Sequence, residues 1–160
     1  MKNLILTFVI ACCSTLYISA QNQTEKVNSF SEAYLKAYFN MELEKSSEFM
    51  DDNMVWTDPT WSEIDPKNKP ITGKQNILNH LKMVSDGISN MSYKIDHQFQ
   101  AADIHIFEGI LSYSWTNTQG KVFSFSIREV TILKVKNQKI IEHSDYADFK
   151  TWRKQYQQQV

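Results

Sequence analysis

The sequence predicts an α+β domain in which helices pack on one face of a curved antiparallel sheet. Three observations predict it. Apolar residues recur at helical spacing in the first half and again at the end of the chain. From Asn90 onward the period changes to two, over long runs. Those runs are separated by short turn signals with no helical stretch between them, which is the pattern of a meander. The expected order is α-α-β-α-β-β-β-β, followed by a closing helix.

Residues 1–20 have the pattern of an export signal. Lys2 supplies the positive start, Leu4 to Ala11 the apolar run, and Ile18-Ser19-Ala20 a small-residue cleavage site. The run breaks at Cys12, Cys13, Ser14 and Thr15, short of the roughly 20 apolar residues of a spanning helix. The expected product is secreted or periplasmic. A minor alternative is lipidation at Cys12, because Val9-Ile10-Ala11-Cys12 resembles a bacterial lipobox, and only that variant would hold the protein at a membrane.

Residues 21–28 form a polar leader, and 29–160 have the length of one domain. Both cysteines lie in the signal, so a disulfide framework, a thiol nucleophile and a Cys-zinc site are excluded after cleavage. Without Lys2 the balance is 16 basic residues against 18 acidic ones. No basic run exists, so nucleic acid is excluded as a partner. The four glycines form no phosphate-cradling motif.

The elements follow in order. Ser29 or Ser31 caps a first helix carrying Phe30, Tyr34, Tyr38 and Met41. A short helical piece spans Leu43 to Met50. Met54 to Asp58 reads as a strand with Met54, Trp56 and Asp58 on one face. Pro59, Pro66 and Pro70 mark a loop. Thr72 caps the next helix, whose stripe is Ile77, Leu78, Leu81 and Val84, and Gly87 ends it. Tyr93, Ile95, His97 and Phe99 then alternate with polar residues, placing His97 on an apolar face. Ile104 to Thr118 is a long strand with a bulge expected at Gly109. Gln119-Gly120 turns into Lys121 to Lys136, and Asn137-Gln138 turns into Lys139 to Ala147. Asp148 to Gln157 closes the chain as a helix. Strands this long curl, and a sheet wrapped around helices makes a cone with a pocket at its mouth.

Several side chains can carry chemistry. Asp58 sits between Trp56 and Trp61, either as a turn acid capping amides or as a carboxylate in an apolar pocket. Asp145 shares a strand face with Ile141, His143 and Ala147, so His143 and Asp145 read as an acid–base couple or as a pair on the sheet rim. His80, His97, His105 and His143 have no metal-ligand spacing, and no metal is expected. Two aromatic stripes stand out, His105-Phe107-Tyr113-Trp115 and Phe123-Phe125-Ile127. One is expected to face the helices and the other outward.

The element order, together with Phe49-Met50-Asp51-Asp52-Asn53, Asp58-Pro59 and Gly73-Lys74, resembles the nuclear transport factor 2-like superfamily. Within it the chain looks closest to SnoaL-like polyketide cyclases and ketosteroid isomerases. The resemblance implies a cystatin-like, cone-shaped sheet around N-terminal helices, and a homodimer through the sheet's outer face. It implies a small, mostly apolar ligand and no cofactor. Asp58-Pro59 matches the turn that holds the isomerase base, with Thr57 in place of the preceding acid. Tyr34 stands 24 residues before Asp58, the spacing of the isomerase tyrosine that donates to the enolate oxygen. His143-Ser144-Asp145-Tyr146-Ala147-Asp148-Phe149 resembles the family ending in which Asp145 is the inward acid. The nearest candidate for the isomerases' second oxyanion donor is Glu129, although counting back from the Asn137 turn reaches Val130. Trp56, Trp61, Trp115, Glu129 and His143 are then expected around the ligand, with Asp58, Tyr34 and Asp145 as catalytic candidates. Neither Arg128 nor Arg153 begins the Arg-x-Asp motif of epoxide hydrolases, which sets that chemistry low. The implied activity is proton transfer next to a carbonyl, of isomerase or cyclase type. The alternative is a non-catalytic ligand-binding or dimeric interaction module.

Overall fold

In this computed structural model residues 29–160 are described, apart from 64, 66 and 68. The expected signal, lipobox and leader lie outside the described residues. The elements are α1 (29–39), α2 (Leu43–Ser47), β1 (Met50–Thr57), a 3-10 turn (Trp61–Glu63), β2 (Ile71–Thr72), α3 (Lys74–Ser85), β3 (Ile88–Ala101), β4 (Ile104–Thr116), β5 (Val122–Lys136), β6 (Lys139–Ala147) and α4 (Phe149–Gln159). The six strands form one sheet in the order β2-β1-β6-β5-β4-β3. β1 and β6 run parallel and every other pair is antiparallel. The expected α+β architecture with curved sheet and covering helices is what the chain adopts.

The helix α1 buries one face because its apolar residues repeat at three and four positions. Tyr34, Leu35, Tyr38 and Phe39 all lie in the core. They meet Met50, Met54 and Trp56 of β1, Phe107 and Leu111 of β4, Ile127 and Leu133 of β5, and Ile140 of β6. Ile77 and Leu81 of α3 close one side. Each fully buried large apolar side chain contributes about 1.5–3 kcal/mol, so this cluster is the main stabiliser of the cone.

Register decides which residues face inward. Trp115 lies opposite Phe123, Tyr113 opposite Phe125 and Leu111 opposite Ile127. Directly paired residues share a face of a sheet, so both aromatic stripes point inward. The expectation that one would face each way is corrected. α4 covers the mouth end of this joint stripe. Trp152 stacks on Phe125 at 5.3 Å and Tyr156 on Phe123 at 5.1 Å.

Other expectations shift for local reasons. β1 begins at Met50, so α2 stops at Ser47, and Asp58 falls past the strand's end. Gly73, at φ 92°, rather than Thr72, precedes α3, because Thr72 is held in a short ladder opposite Val55. α3 ends at Ser85, and Gly87 instead makes room for Trp115, whose ring a Cβ there would meet at 3.3 Å. The bulge expected at Gly109 sits on the opposite strand, where Ile95 pairs with Gly109 and His97 with Glu108. It presses the Lys94 carbonyl onto Gly109, leaving no space for a Cβ. The bulge also flips the end of β3, so His97 is exposed rather than on an apolar face.

The free edge of β5 has its own cap. β6 ends opposite Glu129, so residues 122–128 of β5 have no strand on that side. Gln155 and Gln159, one turn apart on α4, take its place. Gln159 accepts from Ser124 N at 2.7 Å and donates to Ser124 O at 2.8 Å. Gln155 does the same with Ser126 at 2.9 and 2.8 Å. The side-chain amides thus mimic a neighbouring strand.

Candidate functional site

The site is built on β6 because that strand lies between β1 and β5 at the middle of the sheet. Its alternate residues His143 and Asp145 point inward, opposite Leu133 and Thr131. Asp145 is 5 % exposed and is held from two sides. Thr131 donates to Oδ1 at 2.6 Å, and Tyr38 of α1 donates to Oδ2 at 3.1 Å. The Trp56 indole donates in turn to the Tyr38 hydroxyl at 3.0 Å. His143 Nε2 lies 2.8 Å from Asp145 Oδ2, but off the line of the ring N–H, so this contact is electrostatic rather than an aligned hydrogen bond. Tyr34 closes the network, its hydroxyl 2.7 Å from His143 Nδ1. When His143 is neutral with its proton on Nε2, Tyr34 is the donor.

Tyr34 is fully buried and its hydroxyl is taken by His143. Burial, then the charge of Asp145, push both Tyr34 and Tyr38 well above the usual phenol range. The sequence pairing of Tyr34 with Asp58 is therefore replaced in the fold by a pairing of Tyr34 with His143.

Asp58 lies in the turn after β1. Its carboxylate accepts from Trp61 N at 3.0 Å and also from the Thr60 amide, so the turn-capping reading holds for its geometry. It is nonetheless desolvated. Burial raises its pKa to about 6 against those turn bonds, with Asp145 adding to the rise and His143 opposing it. A cap facing open water would be lowered, as Asp148 is at the start of α4. Asp58 is thus both a turn acid and a member of an acid cluster.

Glu129 is the third member. It is 4 % exposed, and no described residue donates a hydrogen bond to its carboxyl. Burial, then Asp145, then Asp58, hold its pKa well above the usual carboxylate range. Val130, which the count from the turn reaches, is on the outer face opposite Tyr146. Tyr93 and Tyr113 border the cluster. Tyr93 donates to the Glu129 carbonyl at 3.2 Å, and burial and Glu129 raise its pKa. Tyr113 is pushed up to about 12, chiefly by burial, and accepts from the Trp152 indole at 2.9 Å.

The tryptophans divide. Trp56 belongs to the site through Tyr38. Trp61, in the 3-10 turn, is 46 % exposed at the rim. Trp115 is six residues along β4 from Gly109, the partner of Glu129, about 20 Å away at a strand's rise. It packs under α4 with Phe123 and Tyr156 and does not join the acids. Tyr38, Thr131, Tyr93 and Tyr113 were not singled out as site residues. Tyr38 had a signal, one helical turn beyond Tyr34. Thr131 had one in the inward parity of β5.

A groove of about 520 Å³ lies elsewhere, between α1 and β3, lined by Glu32, Lys36, Asn40, Ser92, Tyr93 and Ile95. The acid cluster is not part of its wall. Only Tyr93 links the two, its ring in the groove and its hydroxyl on the Glu129 carbonyl. Charge, burial and hydrogen bonding concentrate at the acid cluster, which we take as the chemical site. Among the described residues no group of His, Cys, Asp and Glu is arranged to hold a metal ion.

Residues 31–143 match the model of the SnoaL-like domain. No curated protein matches the chain. Among solved structures the chain is similar to one described as a SnoaL-like polyketide cyclase from Shewanella denitrificans, at 22 % identity and a TM-score of 0.73, covering 82 % of this chain and 97 % of that one. A protein of ketosteroid isomerase-like fold from Catenulispora acidiphila, solved with trimethylamine, is similar at 15 % identity and a TM-score of 0.61, over 73 % and 83 % of the two chains. An LEH-like epoxide hydrolase from M. tuberculosis is similar at 14 % identity and a TM-score of 0.66, over 82 % and 89 %. At these identities the likeness is one of fold.

Proposed function

The chain belongs to the SnoaL-like domain family, and from that premise we propose that it binds a small, mostly apolar ligand at the acid cluster and moves a proton next to a carbonyl there. The observation that carries the reading is that Asp58 and Glu129 are both raised by burial and then by the charge of Asp145, with Asp58 adding to the rise of Glu129. Asp58, at the rim with a pKa of about 6, takes the proton when ionised. Glu129, held protonated, donates to the developing enolate oxygen. A protonated carboxylic acid in that role is the handling of ketosteroid isomerase, a standard worked case rather than a new principle. Tyr34 is engaged with His143, so the donor role implied for it passes to Glu129. Burial, and then the charge of Asp145, itself fixed by Thr131 and Tyr38, favour the protonated form of Glu129.

The test is α-proton exchange of simple cyclic ketones in D2O, followed by NMR. The expected result is a rate that rises through about pH 6 and falls at least a hundredfold in Asp58→Asn. An exchange rate unchanged by that substitution removes Asp58 as the base.

A second reading is a binding module without catalysis. It is favoured by one observation, the engagement of Asp58 with the Trp61 and Thr60 amides. Ligand binding with no exchange in any variant selects it. We further propose export through cleavage near Ala20. We also propose a homodimer through the outer sheet face, where Phe99 is 60 % and Tyr146 45 % exposed beside Ile106 and Ile132.

A further inference from the structure

We propose that the groove between α1 and β3 is a ligand site in its own right, and that it takes a zwitterionic amino acid with an aromatic side chain. The proposal is independent of the acid cluster, none of whose carboxyls lines the groove.

The groove has the size and the floor of a small-molecule site. Its volume of about 520 Å³ falls within the roughly 300–1,000 Å³ of ligand pockets. Leu35 and Phe39 of α1, both buried, form its floor with the ring of Tyr93, and Ile95 flanks it. The Phe39 and Tyr93 rings lie 4.4 Å apart at an angle of 35°. The Tyr93 ring is fixed from behind, because its hydroxyl is held between the carbonyls of Phe107, at 3.0 Å, and Glu129, at 3.2 Å. The floor is thus a set aromatic surface that a further ring can stack on or meet edge-on.

The rim supplies the charge. Glu32 and Lys36 both line the groove, exposed and one turn apart on α1. At that spacing an acid and a base readily pair with each other. Here they do not, and among the described residues neither belongs to an ion pair. The pairs around them are made without them. Glu42, on which Lys36 acts only at longer range, is held by Lys45 at 2.8 Å and by Asn40 at 3.2 Å. On the other wall Lys94 is paired with Asp96 at 3.3 Å.

This pattern selects the occupant. A ligand with one charge would match Glu32 or Lys36 and set a like charge beside the other. A ligand with an ammonium and a carboxylate on one carbon matches both. Residues one turn apart have Cβ atoms about 5–6 Å from each other, and charge-assisted hydrogen bonds are about 2.7–2.9 Å long. The two side chains can therefore close on an amino-acid head group from either side, with the ligand ammonium donating to Glu32 and Lys36 donating to the ligand carboxylate. The ligand side chain then lies against Phe39 and Tyr93. An added peptide strand fits less well. β3 is an edge strand, but its register shifts between Ser89 and Ser92 and between Ile95 and His97, which breaks the edge a partner strand would pair with.

The test is a titration of the full chain at pH 7, read from amide shifts by NMR, with four matched probes: L-phenylalanine, 2-phenylethylamine, 3-phenylpropanoate and 2-phenylethanol. Phenylalanine is expected to bind at least tenfold tighter than the other three, with shifts centred on residues 29–40 and 92–95. Both rim positions are exposed, so glutamine there leaves the fold intact. Glu32→Gln should weaken phenylalanine at least fivefold and leave 3-phenylpropanoate within twofold. Lys36→Gln should weaken phenylalanine as much and leave 2-phenylethylamine within twofold. Ala33→Trp, which fills the groove, should abolish binding, and Asp58→Asn should leave it within twofold. Equal binding of phenylalanine and 2-phenylethanol overturns the zwitterion. Equal binding of phenylalanine and one of the singly charged probes overturns the role of the rim residue facing the missing charge. Shifts centred on Asp58 and Glu129, or binding that survives Ala33→Trp, overturn the groove as the site, and so does binding of no probe.

Discussion

Asp58→Asn tests the central electrostatic claim, because it removes the charge and keeps the shape. Asn presents the same oxygen to the Trp61 amide, 3.0 Å away, so the turn survives. The charge is what changes. In the unfolded chain Asp58 ionises near 3.8, and in the fold near 6. Between those values the folded state holds a proton that the unfolded state has released, so stability falls as pH rises. The loss is complete above the folded pKa. At about 1.36 kcal/mol per pH unit, a rise from 3.8 to about 6 costs about 3 kcal/mol at neutral pH. Asn carries no such penalty. The variant is therefore expected to match wild type in urea unfolding at pH 4, and to exceed it by up to about 3 kcal/mol at pH 8, while losing ketone exchange. Urea midpoints across pH 4 to 8 measure this directly. A variant less stable than wild type at pH 8, or a difference that does not change with pH, would refute a desolvated Asp58.

Two further substitutions probe what holds the site and the sheet. Thr131→Val keeps the volume but removes the 2.6 Å donor to Asp145, leaving a buried carboxyl oxygen short of a partner. It is expected to cost about 1.5–3 kcal/mol in thermal or urea unfolding, and a loss below about 0.5 kcal/mol would mean the bond is not stabilising. Gln155→Ala with Gln159→Ala removes four hydrogen bonds to the free edge of β5, at about 0.5–1.5 kcal/mol each. Amide exchange at Ser124 and Ser126 should accelerate selectively, and unchanged protection there would argue against the strand-mimic role.

The local elements were legible in the sequence because their signals lie within a few residues of one another. β6 runs from Lys139 to Ala147 as its alternation indicates. Asn137 and Gln138 both adopt positive φ, 51° and 56°, as a tight hairpin turn requires. Asp148 caps α4 through the Thr151 amide. The helical repeat of Tyr34 and Tyr38 placed both inside, and the parity of β6 put His143 and Asp145 on one face.

What the residues touch across the fold was decided by pairing between distant strands. Both aromatic stripes face inward because Trp115 pairs with Phe123, a register that neither strand carries alone. A single bulge opposite Gly109 turned His97 outward. Tyr34 met His143, 109 residues away, rather than Asp58, and Tyr38 met Asp145 across 107. Glu129 acquired its character only when β5 closed against β4 and β6 and took its carboxyl out of water with Asp58 and Asp145 nearby. Periodicity is a property of one segment, so the chain by itself determined its helices, strands, turns and the shared face of His143 and Asp145 on β6. Register, burial and charge coupling are properties of segments brought together, so only the tertiary structure decided which acids share a site and which of them lacks a donor.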